Sequence, residues 1–119
     1  MASSEIHRTS IAGLCCSGEG VLFILDAGRS LVYLLDLKAK ECKSFGAGYL
    51  ESPVDITFFG IFLVVLNKNG IALFDPEGLL LKRFYFKFNS RPKAVCIADS
   101  TIIVIGENAE ICKLEIEID

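Results

Sequence analysis

Pro53-Val-Asp-Ile-Thr-Phe-Phe-Gly-Ile-Phe-Leu-Val-Val-Leu-Asn-Lys-Asn-Gly-Ile-Ala-Leu-Phe-Asp-Pro-Glu-Gly78 is the stretch on which the fold turns. Its apolar runs, Ile61 to Leu66 and Ile71 to Phe74, are strand-length, and the residues between them, Asn67-Lys68-Asn69-Gly70 and Pro76-Glu77-Gly78, are turn formers. Short β-rich runs bounded by Gly, Pro and Asn read as strands joined by tight hairpins. No helical period is visible in them.

Outward from this stretch the same grammar continues. Val21 to Leu25, Leu31 to Leu37, Leu79 to Phe88, Val95 to Ala98, Thr101 to Ile105 and Ile111 to Ile116 are further strand candidates. Gly18-Glu19-Gly20, Ala27-Gly28-Arg29-Ser30 and Gly106-Glu107-Asn108 mark further turns. The pattern also repeats. Leu25-Asp26 returns as Leu66-Asn67 after 41 residues and as Ile105-Gly106 after a further 39. Asp36, Asp75 and Glu115 recur at similar spacing, and Ile11-Ala-Gly-Leu-Cys-Cys, Pro53-Val-Asp-Ile-Thr-Phe and Pro92-Lys-Ala-Val-Cys-Ile open the three units alike.

A period of about 40 residues holding four strands is what a propeller blade requires. The expectation is an all-β chain of β-propeller blades, each of four antiparallel strands, forming a half ring of about three blades. The repeats run 11–51, 52–90 and 91–119 after an N-terminal segment 1–10. Within each unit the two apolar strands after the first are expected between neighbouring blades, and the fourth at the outer edge. Outer strands are expected at Glu41 to Phe45 and Leu79 to Phe88. The third unit ends without one, so Ser4 to Ser10 is expected to supply it by exchange between two copies of the chain.

Pro53-Val-Asp-Ile, Phe62-Leu-Val-Val-Leu-Asn and Ile71-Ala-Leu-Phe74-Asp75-Pro-Glu-Gly78 resemble an NHL repeat, which runs from an opening Pro to a Phe-Asp-x-x-Gly turn. Unit one is similar through Leu22-Phe-Ile-Leu-Asp26 and Tyr33-Leu-Leu-Asp36, with Ala39 where the closing Gly would stand. Unit three departs further, with Gly106 for the Asp and Leu114-Glu115 for Phe-Asp, which keeps a WD40-like or other propeller open. The resemblance implies an interaction role, since NHL-like propellers are associated with substrate recognition in ubiquitin ligases, RNA binding and assembly.

Composition bounds the alternatives. The chain has 119 residues, 52% of them hydrophobic, and a net charge of −3, with a sequence pI near 5.1. That is enough apolar material for a core and too little charge for disorder. An acidic balance argues against general nucleic-acid affinity, which depends on clustered cations. No apolar run approaches the roughly 18 residues of a membrane span, and Met1 to Arg8 lacks a secretory signal pattern. An intracellular protein, cytoplasmic or nuclear and without membrane attachment, is expected.

No catalytic constellation is legible. His7 is the sole histidine, so neither a nucleophile–base pair nor a His-based metal site has its parts. Cys15, Cys16, Cys42, Cys96 and Cys112 are odd in number and without a Cys-x-x-Cys pair, and most of them sit in apolar runs such as Ala94-Val95-Cys96-Ile97, where a thiol acts as a small core hydrophobe. Asp26, Asp36, Asp55, Asp75 and Asp99 could be imagined as paired acids, but Asp26 and Asp75 sit where an Asp caps a turn. Neither GxGxxG nor GxxxxGK[ST] occurs. No enzyme activity, cofactor or metal is expected, with part of a propeller hydrolase or lyase kept as an alternative.

Lys82-Arg-Phe-Tyr-Phe-Lys-Phe-Asn-Ser-Arg-Pro-Lys93 holds five basic residues and no acid. Strand alternation puts Phe84, Phe86 and Phe88 on one face and Arg83, Tyr85 and Lys87 on the other. Lys82, Arg83, Tyr85, Lys87, Arg91 and Lys93 are therefore the candidate interaction surface, for a protein partner first and for RNA second; a solvated edge that discourages sheet aggregation explains the same residues. The other end is acidic, with Glu107, Glu110, Glu115, Glu117 and Asp119 against Lys113. The expected partners are another copy of the chain or a heteromeric ring. On the alternation, Phe86→Ala is expected to cost about 3–5 kcal/mol of stability, and Arg83→Ala little. Equal shifts in thermal midpoint would put the strand register out by one residue.

Overall fold

The computed structural model describes residues 10–115. They form eleven strands in three antiparallel sheets, each a simple meander. Blade A is β1 (Ile11–Cys16), β2 (Val21–Asp26), β3 (Leu31–Asp36) and β4 (Glu41–Phe45). Blade B is β5 (Asp55–Phe59), β6 (Phe62–Asn67), β7 (Gly70–Phe74) and β8 (Leu80–Tyr85). Blade C is β9 (Pro92–Ala98), β10 (Thr101–Gly106) and β11 (Ile111–Glu115). The first strands lie side by side, β1 against β5 and β5 against β9, so the sheets fan out from a common axis as propeller blades do. Segment 1–9 and residues 116–119, and with them His7 and all but Ser10 of the expected exchange strand Ser4 to Ser10, lie outside the described residues.

Each blade is closed by the same bond. The N–H just past the second strand donates to the carbonyl just ahead of the first: Ala27 to Ser10 at 2.8 Å, Lys68 to Glu51 at 3.3 Å and Glu107 to Arg91 at 2.8 Å. In blade B the Asn67 side chain adds to this, its Oδ1 accepting the Glu51 N–H at 3.0 Å.

Two cores fill the gaps between blades. Between A and B, Phe23, Leu25, Val32 and Leu34 meet Ile56, Leu63, Val65, Ala72 and Phe74. Edge-to-face rings run through this core, with Phe23 to Phe58 at 5.4 Å and Phe45 to Phe74 at 5.2 Å between centroids. Between B and C, Val64, Leu66, Ile71 and Leu73 meet Val95, Ile102 and Val104. The middle hairpin is thus covered on both sides, and Leu63, Val64, Val65 and Leu66 are all fully buried.

The turns are set by side chains that occupy backbone donors. Asp75 Oδ1 accepts the Glu77 and Leu79 N–H groups at 2.9 Å each. Gly78 follows at φ +96°, and a Cβ there would lie 2.6 Å from the Phe45 ring of blade A. The closing glycine of the Phe-Asp-x-x-Gly turn therefore answers both a left-handed backbone and an interblade contact. Unit one solves the same turn differently. Asp36 Oδ1 holds Lys38 and Ala39, and the left-handed position moves to Lys40 at φ 56°.

The strand read as Leu79 to Phe88 is shorter. It ends at Tyr85 because its partner β7 begins at Gly70, which pairs with Tyr85. Phe86 remains tied to the preceding turn through its N–H to the Asn69 carbonyl at 3.0 Å. The alternation nonetheless persists past the strand, with Phe84, Phe86 and Phe88 half-buried and Arg83, Tyr85 and Lys87 exposed.

Asp55 is not a turn cap. It stands on the inner strand of blade B, where Oδ2 accepts the Val95 N–H of blade C at 3.0 Å and Oδ1 approaches the position a Gly13 side chain would take. Asp55→Ala should lower the unfolding free energy by about 1–3 kcal/mol, because the Val95 donor loses its partner. Asp55→Asn, which keeps an acceptor oxygen, should lose clearly less. Equal losses in denaturant melts would mean that this interblade bond carries no stability.

Candidate functional site

The basic stretch divides in space. Arg83 and Tyr85 stand on the face of β8 that continues the blade A side of the sheet, Arg83 opposite Ala72, and with Tyr49, Asn69 and Gly70 they line a small cavity of about 150 Å³. The Arg83 guanidinium lies over the Tyr49 ring at 5.7 Å, and Tyr85 is 70% exposed. Lys82 belongs to the opposite face and covers the Phe84 ring at 5.5 Å. Lys87 is exposed beyond the strand, while Arg91 and Lys93 are exposed where the chain enters blade C. Arg83 and Tyr85 are brought together with Tyr49, a residue outside the basic run that sequence order alone does not connect to them.

The acidic end also divides. Glu110 is not part of a free patch: its carboxylate accepts the Asn89 N–H at 3.1 Å, the Ser90 N–H at 2.9 Å and the Ser90 hydroxyl. Gly106 makes room for this, since a Cβ there would lie 2.7 Å from Ser90 Oγ. These donors, the Ser90 hydroxyl foremost, hold the Glu110 carboxyl below its ordinary range.

Rows of apolar side chains lie on the outer faces of the end blades. On blade A, Leu14, Ile24 and Tyr33 form one cross-strand row and Cys16, Leu22, Leu35 and Cys42 the next. All point away from the A–B core, and Leu14 is 61% exposed. On blade C the corresponding face carries Cys96, Ile103, Ile105 and Ile111, the last 64% exposed. The register shows why. Ile24 occupies the repeat position of Val65, and Ile103 that of Val64, both of which are fully buried in blade B. Blade A exposes one phase of the repeat and blade C exposes the other.

The cysteines follow the same geometry. All five are free thiols. Cys15 packs into the A–B core, where burial, with Cys16 and Asp55 adding to it, pushes its thiol up to about 12 and keeps it an unreactive hydrophobe. Cys112 packs against the B–C core. Cys16, Cys42 and Cys96 are exposed, so the reading of most of the cysteines as core residues does not hold for the chain by itself. Among the described residues no three of His, Cys, Asp and Glu come together as metal ligands, and no helix is long and apolar enough to cross a membrane.

No family model matches the chain, and no curated protein matches it. Solved structures do. Virginiamycin B lyase from Staphylococcus aureus is similar at a TM-score of 0.68 and 13% identity over 93% of this chain and 43% of that one. The computationally designed Ika4 protein is similar at a TM-score of 0.53 and 12% identity, over 93% of this chain and 94% of that chain. BamB from Moraxella catarrhalis is similar at 0.50 and 9% identity, over 98% and 46%. The chain thus spans less than half the length of the lyase. At these identities the likeness establishes the propeller fold and carries no functional residue across.

Because the folded state lowers the Glu110 pKa, this carboxylate stabilises the fold at pH values above the ordinary 4.5. That contribution is lost as pH falls through its lower folded value. The gap in thermal midpoint between wild type and Glu110→Gln should therefore be constant near neutrality and close below 4.5. A gap that does not change with pH would deny the charged carboxylate any part in holding Asn89 and Ser90.

Proposed function

We propose that the protein is a non-catalytic interaction module of the NHL-like propeller type, working inside the cell and closing its ring with a second copy of itself. The observation that carries this is the opposite burial phase of the two end blades. A face repeating the pattern of the fully buried β6–β7 hairpin is built to be covered by another blade. The open face of blade C is equivalent to the side of blade B that receives a following blade, and that of blade A to the side that receives a preceding one. Two chains related by a two-fold axis satisfy both contacts at once, giving a closed ring.

The NHL reading is supported by the Asp75 and Gly78 turn, whose residues serve the interblade contact as well as the bend. The intracellular reading is supported by five unpaired thiols, which a reducing compartment preserves. A second reading, single-stranded RNA on the β8 edge, draws on Arg83 and exposed Tyr85, a charge and a stacking ring side by side. The net charge of −3 weighs against it.

Sedimentation of the purified chain should give a stable dimer of the 13.0 kDa protomer. Ile24→Lys and Ile103→Lys, each placing a charge on one open face, should weaken it by roughly a hundredfold or more, as unpaired buried charges do. Cys42 and Cys96 should be protected from alkylation in the dimer and reactive in these variants. A well-folded monomer at micromolar concentration would sink the proposal.

A further inference from the structure

A wide cleft runs radially between blades A and B, from the end of β1 out to β4, with a volume of about 710 Å³. Its walls all belong to one chain, so it is present whether or not two chains close a ring. Its floor is apolar: Val21, Leu34 and Phe58, over the buried ring of Phe23. Its rim is acidic, with Glu19, Asp36 and Glu41 against Lys43. Among the described residues the single ion pair is Lys68 with Glu51, elsewhere in the molecule, so these rim charges do not neutralise one another in close pairs.

Gly18 and Gly60 stand at the mouth of the cleft, where a Cβ at either would face open space with nothing within 4 Å. Its walls are stiff turns. Ser17 Oγ accepts the Glu19 and Val21 N–H groups at 3.2 and 3.3 Å, and Asp36, paired with Val21 in the same blade A wall, accepts two more through its Oδ1. Ile61, 68% exposed, stands at the edge of the cleft on a two-residue turn. A preformed apolar slot of several hundred cubic ångströms with a few charges of one sign at its lip is the build of a ligand site.

We infer that this cleft binds an extended peptide of a partner protein, in which an aromatic or branched apolar side chain lies beside lysine or arginine. The apolar side chain enters between the blades over Val21 and Phe58, and the flanking cation lies against Glu19 and Glu41. An acidic peptide is repelled by the same lip.

The test uses the full chain and three fluorescein-labelled peptides, Gly-Arg-Phe-Lys-Gly, Gly-Arg-Ala-Lys-Gly and Gly-Glu-Phe-Asp-Gly, titrated by anisotropy. The first should bind, and the other two should bind at least about tenfold more weakly. Glu19→Gln with Glu41→Gln should weaken the first peptide roughly five- to tenfold, the scale of two lost charge contacts. Gly18→Phe, at a position with ordinary backbone geometry, should block the mouth and abolish binding while leaving the thermal midpoint in place. Glu107→Gln with Glu115→Gln removes the same charge from blade C and should change nothing. Failure of the first peptide to bind, equal binding of all three, equal weakening by the two charge pairs, or full binding by a folded Gly18→Phe chain would each overturn the assignment.

Discussion

A β-sheet that is apolar on both faces must be sandwiched, and nearly everything about this molecule descends from that requirement. The β6–β7 hairpin presents Leu63, Val65, Ala72 and Phe74 to one neighbour and Val64, Leu66, Ile71 and Leu73 to the other. A single sheet with this pattern would leave one full face in water. The chain answers with repetition, laying copies of the same sheet against one another, each the other's cover. The position of every blade is therefore defined by its neighbours rather than by its own strands.

Repetition of strands alone would let the sheets slide. What fixes their stacking is a handful of specific contacts at the inner and outer margins. Near the axis Asp55 reaches across to the backbone of β9. At the periphery the Phe45 ring lies against Phe74 and over Gly78, where only a residue without a side chain leaves room. The same fixing leaves the A–B gap unfilled toward one rim, between the β1–β2 and β5–β6 turns. Rigid walls and an incompletely filled gap together turn a packing boundary into a place where a partner can be held.

Much of this was legible in the residues. The 40-residue period, the three openings and the outer strand Glu41 to Phe45 follow from turn chemistry and apolar runs, which are local properties. Less legible was anything that depends on what lies opposite. The Leu79 to Phe88 run reads as one strand because its alternation continues through Phe88, yet β7 supplies a partner only as far as Tyr85. Glu110 reads as one of several terminal acids, and only the approach of Ser90 shows it to be bound. Cys96 sits in a stretch that reads as core, yet it is exposed on the outer face of blade C. Tyr49 joins Arg83 through folding rather than sequence. The interblade cleft draws its walls from turns and strand ends spread over two repeats, a set that no spacing rule collects.

The bond that closes each blade spans very little chain. Ala27 with Ser10, Lys68 with Glu51 and Glu107 with Arg91 join residues no more than about a turn and two strands apart. The inner hairpin of a unit can close from its own residues, and it is secured when the neighbouring blade covers it. Assembly of this kind proceeds by short loop closures, whose entropic cost is small, in contrast to the distant pairings that slow most all-β chains. Each blade therefore reaches its place through its own local closures and its immediate neighbour rather than through contacts from across the chain.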